Sequence, residues 1–470
     1  MLHVSTRGEA PAVGFTDALL TGLARDGGLY VPETWPALSR GTIEAFAGWR
    51  YAEVAKAVLG ALVDDIPRVD LDRMVEGSYA AFRHPAVCPL TQIGDNLFVL
   101  ELFHGPTLAF KDVAMQLLGR LMDHVLRARG TRATIIGATS GDTGSAAADA
   151  FKGLDQVDVF ILYPHGRVSE VQRRQMTGVG APNVHAIALE GTFDDCQAIV
   201  KALFNHARFR DELQLSGVNS INWARIAAQV VYYFTAAVAL GGPHRPVSFA
   251  VPTGNFGDIL AAWVAKRMGL PVGRLMLATN ANDILARTLA TGSYEVRGVM
   301  PTTSPSMDIQ VSSNFERLLF EAYGRDGAAV RALMASLSQS RAFSIAPEPL
   351  ARLREDFIAQ AVDEDAVVAE IAATWSNAGY LLDPHTAGGV KAARALLAEE
   401  PHTPVVALAT AHPAKFPDAV ERATGMRPPL PPHLADLLDR PERFTVLPND
   451  QAAVEAFIRE RARAVRGAAA

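Results

Sequence analysis

Apolar runs of β-branched character recur through the middle of this chain. Each ends in a turn, often Gly-rich, that gives way to a helical pattern. Ala133-Thr-Ile-Ile136 leads into Gly137-Ala-Thr-Ser-Gly-Asp-Thr-Gly144 and then the Ala-rich stretch Ser145 to Phe151. Val247-Ser-Phe-Ala-Val251 leads into Pro252-Thr-Gly-Asn-Phe-Gly-Asp258 and then Ile259 to Met268. Pro404-Val-Val-Ala-Leu-Ala409 leads into Thr410-Ala-His-Pro413. Further strands are expected over Leu97 to Leu102, Val157 to Leu162, Val184 to Leu189 and Leu275 to Thr279. Strands alternating with helices imply βαβ units, an α/β fold and a largely parallel sheet. Such sheets bind ligands at the carboxyl ends of their strands, where these turns lie.

Toward the N-terminus the period changes. Thr16 to Leu23, Thr42 to Phe46, Tyr51 to Leu59 and Leu71 to Phe82 carry helical spacing with few strand signals. Two more helices, Phe315 to Tyr323 and Ala328 to Ser338, follow the Pro/Ser-rich segment Pro301-Thr-Thr-Ser-Pro-Ser306. Arg427-Pro-Pro-Leu-Pro-Pro432 and Leu447-Pro-Asn449 precede a final amphipathic helix from Gln451, and the tail Arg466-Gly-Ala-Ala-Ala470 is expected to fray. Four regions result: a mainly helical N-terminal domain over 1–95, a large α/β domain over 96–130 and 210–420, a smaller α/β domain over 131–209, and a C-terminal extension over 421–470.

Composition removes several classes of function. Among 470 residues, 49% are hydrophobic and 20% charged, which suits a globular chain of two or three domains. The net charge of -6 comes without a dense Lys/Arg tract, so neither nucleic acid nor an anionic membrane is an expected partner. The longest apolar run, Arg225 to Leu240, is interrupted by Gln229 and Thr235 and is too short and polar for a membrane span. Cys88 and Cys196 make no CxxC pair and no disulfide framework. The first ten residues lack a basic segment followed by an apolar core, so a cytoplasmic protein is expected. The histidines are scattered with no metal-binding spacing, and no metal is expected.

One count points to chemistry. The chain has 7 lysines against 37 arginines. Lys111 stands in Glu101-Leu-Phe-His-Gly-Pro-Thr-Leu-Ala-Phe-Lys-Asp112, at the end of an apolar stretch. A lysine amine can lose its proton when desolvated and can form a Schiff base, which a guanidinium cannot. The same pattern also suits a lysine whose stem packs while its head reaches water.

The loops have similar double readings. In Gly254-Asn-Phe-Gly-Asp258, glycines and a helix start would turn backbone N–H groups toward an anion, which suits a phosphate; a tight turn capped by Asp258 fits equally well. Gly137 to Gly144 fails as a dinucleotide fingerprint because position 139 is Thr, as a Walker loop because it lacks lysine, and as a nucleophile elbow because Ala138 and Asp142 flank Ser140. It remains a hydroxyl-rich nest in which Ser140 and Thr143 face a carboxylate, or a capped turn. A lysine, two anion-ready loops and the strand-end hydroxyl of Thr410 together suggest a cofactor with an aldehyde and a phosphate, as in pyridoxal phosphate.

Blocks along nearly the whole chain then resemble the threonine synthases of the long bacterial and fungal type, within the fold type II pyridoxal-phosphate enzymes. They are Ser5-Thr-Arg-Gly8, Gly22-Leu-Ala-Arg-Asp-Gly-Gly-Leu-Tyr-Val-Pro32, Phe103 to Asp112, Ala138 to Gly144, Asn219-Ser-Ile-Asn-Trp-Ala-Arg225, Pro252 to Asp258, Ser312-Ser-Asn-Phe-Glu-Arg317 and Thr410-Ala-His-Pro-Ala-Lys-Phe416. The resemblance implies two open twisted sheets flanked by helices. It implies pyridoxal 5'-phosphate as cofactor, with Lys111 as its Schiff-base lysine. Gly254, Asn255, Phe256, Gly257 and Asp258 would form its phosphate loop, and Thr410 would meet its ring nitrogen. Ser140, Gly141, Asp142 and Thr143 would face the amino-acid carboxylate. On family similarity alone, Asn222, Arg225 and Arg317 are candidates for the leaving phosphate. The substrate would be O-phospho-L-homoserine and the product L-threonine, in a monomer or homodimer. A threonine or serine dehydratase would share the cofactor residues; the block Asp26-Gly-Gly-Leu-Tyr30 argues against it. A catalytically dead relative that binds a phosphorylated ligand would not need Lys111, Gly254 to Asp258 and Thr410 intact.

Overall fold

Two strands with no exposed residue, Val247–Pro252 and Val405–Ala409, lie at the centre of a six-stranded sheet. A strand buried on both faces reads as a continuous apolar run, which is why both stood out in the sequence. The order across the sheet is Phe357–Ala361, Val272–Thr279, Val247–Pro252, Val405–Ala409, Leu97–Glu101 and Leu90–Gly94. All neighbours are parallel except the last pair. Ala407 pairs with Ala250 on one side and Val99 on the other, so the loops that follow these three strands emerge side by side. On one face, Ala250 and Ala407 pack with Ala387, Val390 and Leu396 of the helix Pro384–Glu399. Gly389 permits this approach: a Cβ there would stand 3.0 Å from the Pro252 ring. On the other face, Tyr233 of the helix Trp223–Ala239 meets Phe249 edge-on at 4.9 Å.

The computed structural model describes residues 1–464, so the expected frayed tail, Arg466 to Ala470, lies outside the described residues. The chain forms two units, Met1–Phe110 with Ser220–Pro428, and Lys111–Asn219 with the segment from Pro429. The six-stranded sheet belongs to the first. The second holds a five-stranded, all-parallel sheet ordered Thr445–Pro448, Val184–Glu190, Val157–Pro164, Ala133–Ala138 and Leu215–Ser216. Its core gathers Ile136, Phe160, Leu162, Ile187 and Leu189 with Val454 and Ile458.

This division departs from the expected four regions in three ways. Region 1–95 falls in the first unit, where its helix Tyr51–Leu62 buries Val54, Val58, Leu59 and Leu62 and packs with the helix Trp223–Ala239. At about 1.5–3 kcal/mol per buried side chain, that face binds the region to its unit. Thr6 and Arg7 add hydrogen bonds to Glu316 at 2.6, 3.0 and 3.1 Å. The helix Lys111–Ala128 joins the smaller unit because Gly119 lets it lie against the helix Asp142–Phe151; a Cβ at 119 would be 2.7 Å from the Ala150 carbonyl. The stretch from 429 is no appendage. It supplies an edge strand, Thr445–Pro448, and a helix, Gln451–Arg461, whose Val454 and Ile458 enter the core.

Candidate active site

In the smaller unit, Lys111 opens the helix Lys111–Ala128 and is buried. Its Nζ donates to Asp142 Oδ2 at 3.2 Å. Asp142, the first residue of the helix Asp142–Phe151, accepts at its other oxygen from Gln172 Nε2 at 2.9 Å. A buried ion pair holds only when its remaining lone pairs are satisfied, and Gln172 provides one such bond. Gly141 makes room for it: φ is 147°, and a Cβ there would lie 2.3 Å from the Gln172 amide carbon. Asp142 thus holds the lysine, and its own charge would repel a substrate carboxylate.

The neighbouring loop is partly committed to itself. Thr139 Oγ1 accepts from the N–H groups of Gly141 and Gly144 at 2.9 and 3.0 Å. Two donors of the expected nest are thus used internally. The half-buried hydroxyls of Ser140 and Thr143 bond to no described residue and remain able to receive an anion.

In the larger unit, Val247–Pro252 ends in the loop that starts the helix Gly257–Arg267. The loop is held by its carbonyls. Ser312 Oγ donates to the Gly254 carbonyl at 2.7 Å, and Asn314 donates to the Asn255 carbonyl from its N–H at 3.1 Å and its side chain at 2.9 Å. Ser313 Oγ donates to the Asn255 side chain at 3.1 Å. Among the described residues, none accepts from the N–H groups of Gly254, Asn255, Phe256 or Gly257. Four such donors at a helix N-terminus fit a phosphate. Gly254 has no space for a side chain, since a Cβ would be 2.8 Å from the Ser306 carbonyl. Phe256 holds φ at 63° and is anchored between the rings of Phe315 and Phe357 at 5.4 and 5.6 Å.

Asp258 contributes differently from its neighbours. Its carboxylate accepts from the hydroxyls of Tyr232 and Tyr233, the latter at 2.8 Å. Burial, reinforced by this carboxylate, raises both phenols well above their ordinary range, so both remain donors. Neither tyrosine nor the Ser312 to Asn314 clamp was apparent as a site feature from sequence.

Thr410 follows the strand Val405–Ala409 and is buried. Its carbonyl accepts from the Phe110 N–H at 2.8 Å, and Lys111 is the next residue along the chain. Its hydroxyl bonds to no described residue. His412 Nδ1 accepts from the Ala414 N–H at 3.1 Å and caps the turn Pro413–Lys415.

The three candidates for a substrate phosphate fare unequally. Asn222 caps the helix Trp223–Ala239, accepting from Ala224 N–H at 3.1 Å, and donates to the Leu19 carbonyl at 2.8 Å. Arg317, 1% exposed, donates to the carbonyls of Tyr30 and Ile221 at 3.0 and 2.7 Å and to Asn314 Oδ1. Burial pushes its guanidinium down to about 9, against the opposing charge of Glu316. Asn222 and Arg317 thus have main-chain partners within the larger unit. Arg225 is also buried, and desolvation lowers it to about 10.

Models of three families match. Residues 2–79 match the threonine synthase N terminus, 87–335 the pyridoxal-phosphate dependent enzymes and 386–458 the threonine synthase C-terminal region. A threonine synthase of Pseudomonas aeruginosa is 54% identical over 97% of this chain and 98% of its own. The crystal structure of PLP-bound threonine synthase from Brucella melitensis superposes with TM-score 0.96 at 62% identity, covering 98% of this chain and 100% of that one. Threonine synthase from yeast superposes with TM-score 0.94 at 39% identity, covering 98% of each.

Proposed function

This chain belongs to the threonine synthase family of pyridoxal-phosphate-dependent enzymes, and from that premise we propose that it converts O-phospho-L-homoserine and water into L-threonine and inorganic phosphate. The observation that carries the reading within the molecule is the buried, carboxylate-paired Lys111. The loop with four N–H groups left for an anion adds to it. Pyridoxal phosphate, when bound, supplies an aldehyde that captures amines and a conjugated ring that spreads negative charge from Cα.

Each residue then has a task. With the cofactor bound, Lys111 Nζ would hold it and would be placed to take and return the proton at Cα. Asp142 and Gln172 orient that nitrogen. The N–H groups of Gly254 to Gly257 hold the cofactor phosphate, while Tyr232 and Tyr233 offset the charge of Asp258. The Thr410 hydroxyl, being neutral, would hold the ring nitrogen and moderate its electron withdrawal. Ser140 and Thr143 receive the amino-acid carboxylate. The net change is loss of phosphate from Cγ and addition of water at Cβ.

No described helix is long and apolar enough to cross a membrane. A cytoplasmic location and a monomeric or homodimeric state complete the proposal. The test has two arms. The protein with added cofactor should show a violet-region absorption band that disappears in Lys111→Ala; absence of the band from the unsubstituted protein overturns the reading. Phosphate should be released from O-phosphohomoserine, whereas ammonia from threonine without phosphate release would favour a dehydratase.

A further inference from the structure

Lys415 is one of only 7 lysines, it has no exposed surface, and no step above uses it. It closes the turn Pro413–Lys415, five positions beyond Thr410. Its Nζ donates to the backbone carbonyl of Thr107 at 2.7 Å, and Thr107 is itself buried. That bond ends a short antiparallel seam. Phe110 N–H donates to the Thr410 carbonyl at 2.8 Å and His412 N–H to the Leu108 carbonyl at 3.0 Å, with Ala109 facing Ala411. Leu108, inside the seam, holds φ at 62°, a conformation that a branched side chain adopts only when its surroundings impose it.

One edge of the seam is the segment that runs directly into Lys111; the other begins at Thr410. A well-packed hydrophobic residue fills buried space at less cost than an ammonium taken out of water. An ammonium buried on a main-chain oxygen is therefore a poor choice for packing alone. It is a good one for fixing a backbone position, because charge-assisted bonds are short and strong. We infer that Lys415 is a positioning residue that sets the register between Thr410 and the backbone leading into Lys111. This rests on the proposed cofactor roles of those two residues.

The test uses the loaded, full-length protein. Lys415→Met removes the donor at similar volume; Lys415→Gln keeps a shorter one. Read-outs are the pyridoxal phosphate dissociation constant, the pH midpoint of the visible band, and kcat and KM separately. Lys415→Met should bind cofactor about tenfold more weakly, with a shifted midpoint. Its kcat should fall about 10²-fold, the scale for a misplacement of ~1 Å, with KM little changed. Lys415→Gln should recover part of the midpoint. A folded Lys415→Met with the unsubstituted protein's affinity, midpoint and kcat overturns the inference. Failure of both variants to fold overturns it too, by assigning Lys415 to the fold alone. If the unsubstituted protein has no band, the functional reading falls first and takes this inference with it.

Discussion

Lys111 and Asp142 form a buried ion pair, 3.2 Å between Nζ and Oδ2, from the first residues of two helices that pack against each other. A helix N-terminus disfavours a cation and favours an anion, so the carboxylate compensates both the ammonium and the helix dipole behind it. Asp142→Ala strands a buried charge. It should cost the cofactor-free protein about 3–5 kcal/mol, read from urea unfolding followed by fluorescence. An unchanged midpoint would mean that the pair is not formed in solution.

Gly254→Ala tests the anion loop. The added Cβ meets a backbone carbonyl at 2.8 Å, which cannot rotate aside as a side chain would. The loop must shift and its N–H groups lose their aim. Cofactor affinity should weaken at least tenfold, or about 1.4 kcal/mol, in a spectroscopic titration, with the protein still folded.

Arg317→Met separates structure from substrate binding. The substitution leaves the carbonyls of Tyr30 and Ile221 without their donor. Each buried unmet acceptor costs about 1–3 kcal/mol, so stability should drop by about 3 kcal/mol. The KM for the phosphorylated substrate should stay unchanged in the fraction that folds. A large rise in KM at normal stability would return Arg317 to the substrate site.

His3 predicts an acid response. Burial lowers its pKa from 6.5 to about 4, with Asp65 opposing. Between those values the unfolded chain binds a proton that the native state does not, so stability rises with pH across the window and falls on acidification through it. The full effect is about 3 kcal/mol. In His3→Phe, the slope of unfolding free energy against pH from about 6.5 to 4 should flatten by roughly that amount.

The sequence made the strand–turn–helix units legible because burial on both faces leaves a plain mark, as in Val247–Pro252 and Val157–Pro164. The short strand Thr445–Pro448 escaped notice. It alternates half-buried with exposed residues, and its partner, Val184–Glu190, is remote in the chain. Among site residues, Lys111 announced itself by the scarcity of lysine, and Lys415 carried the same signal without being singled out. The roles of Arg317 and Asn222 were hidden for another reason. Their partners are main-chain carbonyls, which no residue type identifies. Gln172 lies thirty positions from the carboxylate it completes, beyond the reach of any local pattern.

The pairing of Thr445–Pro448 with Val184–Glu190 also bears on how the protein is made. During translation, the edge of Val184–Glu190 is synthesised some 250 residues before the strand that covers it. Until then the smaller sheet presents bare amides and carbonyls that any passing extended chain can pair with. A ribosome stalled after Pro428 would release a product with its larger unit complete and its smaller unit adhesive. Chaperone dependence should therefore track that interval of synthesis more closely than overall chain length.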